Sequence, residues 1–243
     1  MSNRTAIVTG AARRIGAAIA CELHQLGMDV IVHYHHSAAA AHALVQKLNA
    51  RRPGSVHAMA ADLSSTDSCL ALIGKAHAVN NRLDVLVNNA AVFYPTPLME
   101  LNDAAWDECI NVNLKAPLFL SRAAVPALTQ SSGCIINIAD IHADRPLKNY
   151  ILYSIGKAGL IMLTRALARE LGPMIRVNAI APGAILWPEG LGAETRKKIL
   201  ARTALKRPGT VEDITRAVRY LVEDANYTTG EVLVIDGGRT LYS

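Results

Sequence analysis

Thr5-Ala6-Ile7-Val8-Thr9-Gly10-Ala11-Ala12-Arg13-Arg14-Ile15-Gly16 is the stretch that decides the fold. A short apolar strand runs into a glycine turn, and a helical pattern begins at Arg13. Gly10 permits a tight turn, and Gly16 permits close packing of helix on strand. A helix that starts here offers unpaired N–H groups and a positive dipole end to a pyrophosphate, with Arg13, Arg14 and Ile15 nearest to it. The plain alternative is an ordinary glycine turn. Its position after the first strand of an alternating chain argues against that. The middle glycine of the usual spacing is missing. Arg14 stands there, and its forked donors suit phosphate oxygens.

Apolar strands and helical stretches alternate from that point onward. The strands are Thr5–Val8, Asp29–His33, Val56–Ala60, Leu83–Val87, Cys134–Ile138, Ile175–Ile180 and Glu231–Ile235. The helices are Arg13–Leu26, Ala38–Arg51, Thr66–Asn80, one long helix over Asp103–Leu128, a helix through Tyr153 and Lys157 to Leu171, and one from Thr210 to Val222. Strands this short and this rich in Val and Ile are buried on both faces by crossover helices. The pattern predicts an α/β chain, a single-domain Rossmann-like doubly wound parallel sheet of about seven strands with helices on both faces. Ligands of such sheets bind beyond the carboxyl ends of the strands. No linker or repeat interrupts the 243 residues, so one domain over 1–243 is expected. Pro182 to about Gly192 is the longest irregular stretch and a candidate lid, with the lid region extending over roughly 183–210.

Composition narrows the classes. Hydrophobic residues make up 51% of the chain, which is enough for a sizeable core. No apolar run approaches the ~18 residues of a membrane span. The first residues show no signal-peptide pattern. Cys21, Cys69, Cys109 and Cys134 are scattered, as small core residues of a cytoplasmic protein would be. The net charge of +5 comes from basic pairs spread along the chain. They form no nucleic-acid-type run but are compatible with an anionic cofactor or substrate.

The second strand ends in His33-Tyr34-His35-His36-Ser37. An NAD-preferring site usually places an acidic residue here for the ribose 2′-hydroxyl. None is present, and Arg14, His36 and Ser37 can bind a 2′-phosphate, with His35 beside them. The prediction is NADPH. A metal site in these histidines is disfavoured, because no Cys, Asp or Glu lies nearby in sequence. Asp62, followed by Leu63, can accept from the adenine amino group. Asn88-Asn89-Ala90-Ala91 reads as a loop under the adenosine ribose. These are also ordinary turn residues.

Tyr153-Ser154-Ile155-Gly156-Lys157 places a phenol and an ammonium at i and i+4, on one helical face and roughly 6 Å apart at Cβ. A nearby positive charge lowers a phenol's pKa, which makes Tyr153 a candidate general acid. An interior tyrosine beside a solvated lysine is the bland alternative.

Together these residues resemble the short-chain dehydrogenase/reductase family. The resemblance runs through Thr9-Gly10 to Gly16, Asp62, Asn88-Asn89-Ala90, Asn113, Tyr153 and Lys157, Pro182-Gly183 and Asp236-Gly237-Gly238. It implies that Tyr153 is the proton donor and that Lys157 holds the nicotinamide ribose and lowers the Tyr153 pKa. It further implies that Asn113 anchors a relay water and that Pro182-Gly183 supports the nicotinamide. One residue departs from the family. Asp140 stands where most members carry a serine, and an ionised carboxylate would repel a developing alkoxide.

Asp140, Arg14, the His33–Ala38 stretch and Phe93-Tyr94-Pro95-Thr96-Pro97-Leu98 resemble pteridine reductases, including the bacterial dihydromonapterin and dihydrofolate reductases of this type. Ala184-Ile185-Leu186-Trp187-Pro188-Glu189 resembles the lid of the bacterial members. Two residues differ from the protozoan members: Ala90-Ala91-Val92 lacks a ligand-contacting serine, and His36 replaces an arginine near the 2′-phosphate. A flat pterin wants an apolar plate and rim hydrogen bonds. Phe93 is expected to supply the plate, Arg14 and Asp140 the rim contacts, and Leu186 and Trp187 either a closing lid or the cover of a subunit contact. The expected reaction is hydride transfer from NADPH to C6 or C7 of a pterin or folate. Its alternatives are reduction of a carbonyl such as a 3-oxoacyl thioester, or non-catalytic sensing of NADPH. The resemblance also implies a homotetramer.

Overall fold

Residues 4–187 and 190–242 are described by a computed structural model. The strands are β1 (Thr5–Val8), β2 (Asp29–Tyr34), β3 (Val56–Ala60), β4 (Val85–Asn88), β5 (Cys134–Ile138), β6 (Arg176–Pro182) and β7 (Val232–Ile235). All pair in parallel, in the order β3-β2-β1-β4-β5-β6-β7. After β1 the chain winds outward through β2 and β3, then returns to lay β4 on the other side of β1. That reversal opens a crevice at the carboxyl ends of β1 and β4, where ligands of such sheets bind.

Alternation along each strand divides the core into two layers. Ala6 and Val8 of β1, Val30 and Val32 of β2, and Val85 and Val87 of β4 share one cluster. Ile7, Ile31 and Leu86 point the other way into a second. The first layer is closed by α1 (Arg14–Gln25), α2 (Ala38–Asn49) and α8 (Val211–Glu223), which contribute Ile19, Leu23, Leu48, Val218 and Leu221. The second is closed mainly by α3 (Thr66–Asn80) and α5 (Ala116–Ser131) through Leu72, Ile73, Leu120 and Leu128. Each such side chain, fully withdrawn from water, contributes on the order of 2 kcal/mol. Helix starts follow local chemistry. Ser65 accepts from Ser68 N–H at 3.3 Å ahead of α3. Thr210 N–H donates to Asp213 at 2.8 Å in the capping box that opens α8.

Two elements differ from expectation. The helix predicted over Asp103–Leu128 is α4 (Asp103–Ile110), a π-helical turn at Asn111–Lys115, then α5. Beyond the irregular stretch after β6, the wider candidate lid region contains α7 (Ala193–Ala201), a helix the sequence pattern does not show. α7 buries no residue, so it leaves no apolar periodicity to read. The remaining helix, α6 (Ile151–Leu171), is by length and composition apolar enough to cross a membrane, which corrects the expectation that no such run exists. It packs its buried side, including Leu160, Thr164 and Ala168, against β5 and β6.

Candidate active site

The crevice is built from loops that follow β1, β2, β4 and β5 and from the start of α6. Gly10 adopts φ +61, and a Cβ on it would stand 2.9 Å from Ala90 Cα. A Cβ on Gly16 would collide with the Gly10 carbonyl and lie 2.5 Å from Asn89 Nδ2. Both glycines are therefore required by close approach, as expected. Asn89 donates to the carbonyls of Thr9 at 2.8 Å and Gly10 at 3.2 Å, locking the β4 loop onto the β1 loop. The Thr9 hydroxyl accepts from Asn89 N–H and Ala90 N–H at 2.9 and 3.0 Å. Arg14 occupies the middle-glycine position at φ +54, a left-handed conformation that disfavours a side chain by ~1–2 kcal/mol. Its guanidinium donates to the Leu186 carbonyl at 3.2 Å, so it joins the β1–α1 loop to the candidate lid.

At the end expected to take the adenosine, His35 and His36 lie ring on ring, with centroids 3.6 Å apart, just past β2. Asp62 is exposed. Its carboxyl is held below the usual range chiefly by the backbone N–H of Ser64, a bond of 2.9 Å. Leu63 is buried in the second core layer, so its side chain faces the core. A glycine cradle, a helix N-terminus, forked arginine donors and the lack of an acidic residue at the end of β2 all fit a nicotinamide dinucleotide.

The reacting end converges on Tyr153, which is 6% exposed. Its hydroxyl donates to Asp140 Oδ2 at 2.8 Å. Asp140 Oδ1 accepts from His142 N–H at 2.8 Å, so the carboxylate also caps a short turn after β5. Burial and then the Asp140 charge push the Tyr153 pKa well above its ordinary value. The expectation that Lys157 lowers it is corrected. Lys157 Nζ instead donates to the Ile138 carbonyl at 2.7 Å and sits 5.7 Å from the Tyr153 ring centroid. Lys157 is fully buried, and burial brings its own pKa down to about 8.

Phe93 stands edge-to-face with Tyr153, centroids 4.8 Å apart, and stacks on Tyr150 at 4.5 Å. One face of the expected plate is thus taken by Tyr150, which sequence reasoning missed, yet the ring remains 43% exposed. The loop is pinned where Thr96 N–H meets the Asn149 carbonyl at 2.6 Å, and it reaches the start of α6. Asn113, wholly buried in the π-helical turn, clasps Val92 twice: Nδ2 donates to its carbonyl at 3.0 Å and Oδ1 accepts from its N–H at 3.1 Å. Its side chain is therefore committed to the Phe93 loop. Gly156 lets α6 approach, since a Cβ there would lie 3.1 Å from Asn113 Cβ.

A family profile described as "Enoyl-(Acyl carrier protein) reductase" matches residues 10–240. The chain belongs to the short-chain dehydrogenase/reductase family. Pteridine reductase 1 of Leishmania tarentolae is 35% identical over 277 residues, spanning 97% of this chain and 96% of that one. The 3-oxoacyl-[acyl-carrier-protein] reductase FabG of Staphylococcus aureus (strain N315) is 36% identical over 240 residues, spanning 97% of each. Glucose 1-dehydrogenase 2 of Bacillus subtilis (strain 168) is 34% identical over 251 residues, spanning 100% of this chain and 96% of that one. This short-chain dehydrogenase/reductase is thus an NAD(P)-dependent oxidoreductase. Identities so close together do not select its substrate.

Other expected residues lie at the rim. Pro182 ends β6, and Gly183 N–H donates to the Ile235 carbonyl at 2.9 Å. A Cβ on Gly183 would stand 2.7 Å from Asp236 Cα, which ties this turn to Asp236-Gly237-Gly238. Ala91 is exposed beside the Phe93 loop. Trp187 lies under the Arg196 guanidinium, 5.8 Å from ring centroid to Cζ, so the start of the candidate lid contacts α7. Pro188 and Glu189 of the expected lid lie outside the described residues. A cavity of about 420 Å³ opens between Ile185, Leu205, Arg207 and Asp236. None of Asp140, Tyr153 and Lys157 lines it. The site is therefore assigned on the side chains that converge at Tyr153.

Proposed function

We propose that this chain is an NADPH-dependent pteridine reductase, reducing dihydrobiopterin, dihydromonapterin or dihydrofolate to the tetrahydro form. The observation that carries the reading is the 2.8 Å bond from the Tyr153 hydroxyl to the Asp140 carboxylate. A serine in Asp140's place would offer a hydroxyl to a carbonyl oxygen. A carboxylate instead offers acceptors, which suit the N–H groups around a pterin rim and repel an alkoxide. Phe93 gives one exposed aromatic face beside the same tyrosine, the kind of surface a flat heterocycle stacks on. Arg14, between the phosphate loop and Leu186, is suited to both a cofactor phosphate and the pterin edge.

NADPH, when bound, would supply the hydride, which in a 7,8-dihydropterin can add only to C6 of the C6=N5 bond. The adjacent nitrogen takes a proton, leaving CH–NH. Tyr153 retains its proton through the neutral range because burial and Asp140 disfavour the phenolate. That proton comes from Tyr153, which Asp140 and burial keep protonated, or from a bound water. Lys157 holds the nicotinamide ribose. The absence of an acid at His36 favours NADPH over NADH. The working form is a cytoplasmic homotetramer.

Reduction of a 3-oxoacyl thioester is the second reading, favoured by the 36% identity to the Staphylococcus aureus FabG. Following NADPH oxidation with dihydrobiopterin, dihydromonapterin, dihydrofolate and an acetoacetyl thioester separates the two. Turnover of a dihydropterin at a kcat/KM at least ~10-fold above the thioester is expected. Thioester turnover without pterin turnover overturns the proposal.

A further inference from the structure

The loop joining β1 to α1 is braced from both sides. Asn89 holds its carbonyls from β4, as described. From β2, His33 takes up its donors. Gly10 N–H donates to His33 Nδ1 at 3.0 Å, and Ala11 N–H donates to the His33 carbonyl at 2.8 Å. Across the ring, Nε2 donates to the Ala61 carbonyl at 3.1 Å. A neutral imidazole has one donor and one acceptor, so these bonds require the tautomer with its proton on Nε2. The ring is 2% exposed. One side chain therefore ties together the ends of β1, β2 and β3, the strands that carry Gly10, His35-His36 and Asp62.

We propose that His33 is a positioning residue for the dinucleotide, setting the phosphate loop before the cofactor arrives. It acts through Gly10 and does not touch the cofactor. This inference is independent of the pterin reading. The N–H groups of Gly10 and Ala11 are consumed by His33, so pyrophosphate falls to the donors that follow them. The first intrahelical bond of α1 is Ala17 N–H to the Arg13 carbonyl at 3.2 Å, which leaves the N–H groups of the first turn for a ligand. Their direction depends on where the loop sits. Without an acceptor at position 33, the Gly10 N–H loses its partner in a half-buried turn. The loop must then move to find a partner, and cofactor binding must pull it back.

A buried histidine that merely completes its hydrogen bonds would make the same contacts, so the test separates positioning from packing. His33→Leu removes both ring bonds at similar bulk. His33→Asn places its Oδ1 where Nδ1 stands and can keep the Gly10 bond. His33→Gln reaches only toward Ala61. NADPH and NADH binding to the full chain are followed by titration calorimetry, alongside steady-state kinetics. His33→Leu should weaken both cofactors by the same factor of about tenfold, leave their ratio unmoved, and change kcat at saturating NADPH by less than about twofold. His33→Asn should return binding to within about threefold of the parent, whereas His33→Gln should not. Equal affinity of a folded His33→Leu and the parent overturns the proposal, as does a change confined to kcat. Should His33→Leu not fold, Asn binding no tighter than Gln overturns it.

Discussion

Asp140 gives Tyr153 an acceptor for its proton, and Lys157 turns to the Ile138 carbonyl, so the three groups are less symmetrical than their spacing suggests. Burial brings Lys157 to about 8, so its charge is present below that pH and lost above it. The kcat/KM for reduction should be level below pH ~7 and fall as pH rises through about 8, the limb reporting this lysine in the free enzyme. Lys157→Met should remove the limb and lower the rate by ~10²-fold. At the other end of the cofactor, His36→Glu should shift the preference from NADPH toward NADH by about tenfold or more, read from kcat/KM with each. Much at this scale was legible. An i, i+4 pair shares a face by geometry alone, and Asp140 was visible as a departure from serine. His33 was not, because a histidine within an apolar strand does not reveal which backbone groups its nitrogens will meet. The direction of the Tyr153 shift was missed for a similar reason. Helical spacing brings Lys157 near but says nothing of the burial or the carboxylate that dominate.

Among the elements, the π-helical turn at Asn111–Lys115 does the most to place the site. It presents the Asn113 amide to both polar groups of Val92, directly before Phe93. Asn113→Ala leaves those backbone groups without their clasp. The expected result is a several-fold higher KM for the reduced substrate with NADPH affinity unchanged within about twofold, by kinetics and calorimetry. Gly156→Val overpacks the α6 contact and should destabilise the fold by ~1–3 kcal/mol in urea denaturation. The sequence showed one helix over Asp103–Leu128 because a single wide turn leaves the apolar pattern nearly intact. α7 escaped notice for the opposite reason, having no buried face at all. The strands were legible to within two residues at each end, since burial on both faces makes β1, β2, β4, β5 and β6 continuous apolar runs, while the edge strands β3 and β7 are half-buried and still rich in small or branched apolar residues.

Across the whole molecule, the sheet order follows from right-handed crossovers and one reversal, and that reversal puts the β1 and β4 loops side by side. Which outer surfaces associate was not written in the strands. Trp106 on α4, Leu118 on α5, and Ile155 and Met162 on α6 are exposed, the last at 61%. They fit the proposed tetramer, in which the long helices meet. Leu118→Glu combined with Met162→Glu should reduce the sedimentation mass to a smaller assembly, and an unchanged tetramer would exclude this face.

The direct test of the central claim is one ratio, kcat/KM with dihydrobiopterin over kcat/KM with an acetoacetyl thioester, measured for the parent and for Asp140→Ser with NADPH binding checked in both. The account predicts that the ratio falls by ~10²-fold or more in the variant while NADPH binds equally well. An unchanged ratio, with pterin turnover intact, would contradict it.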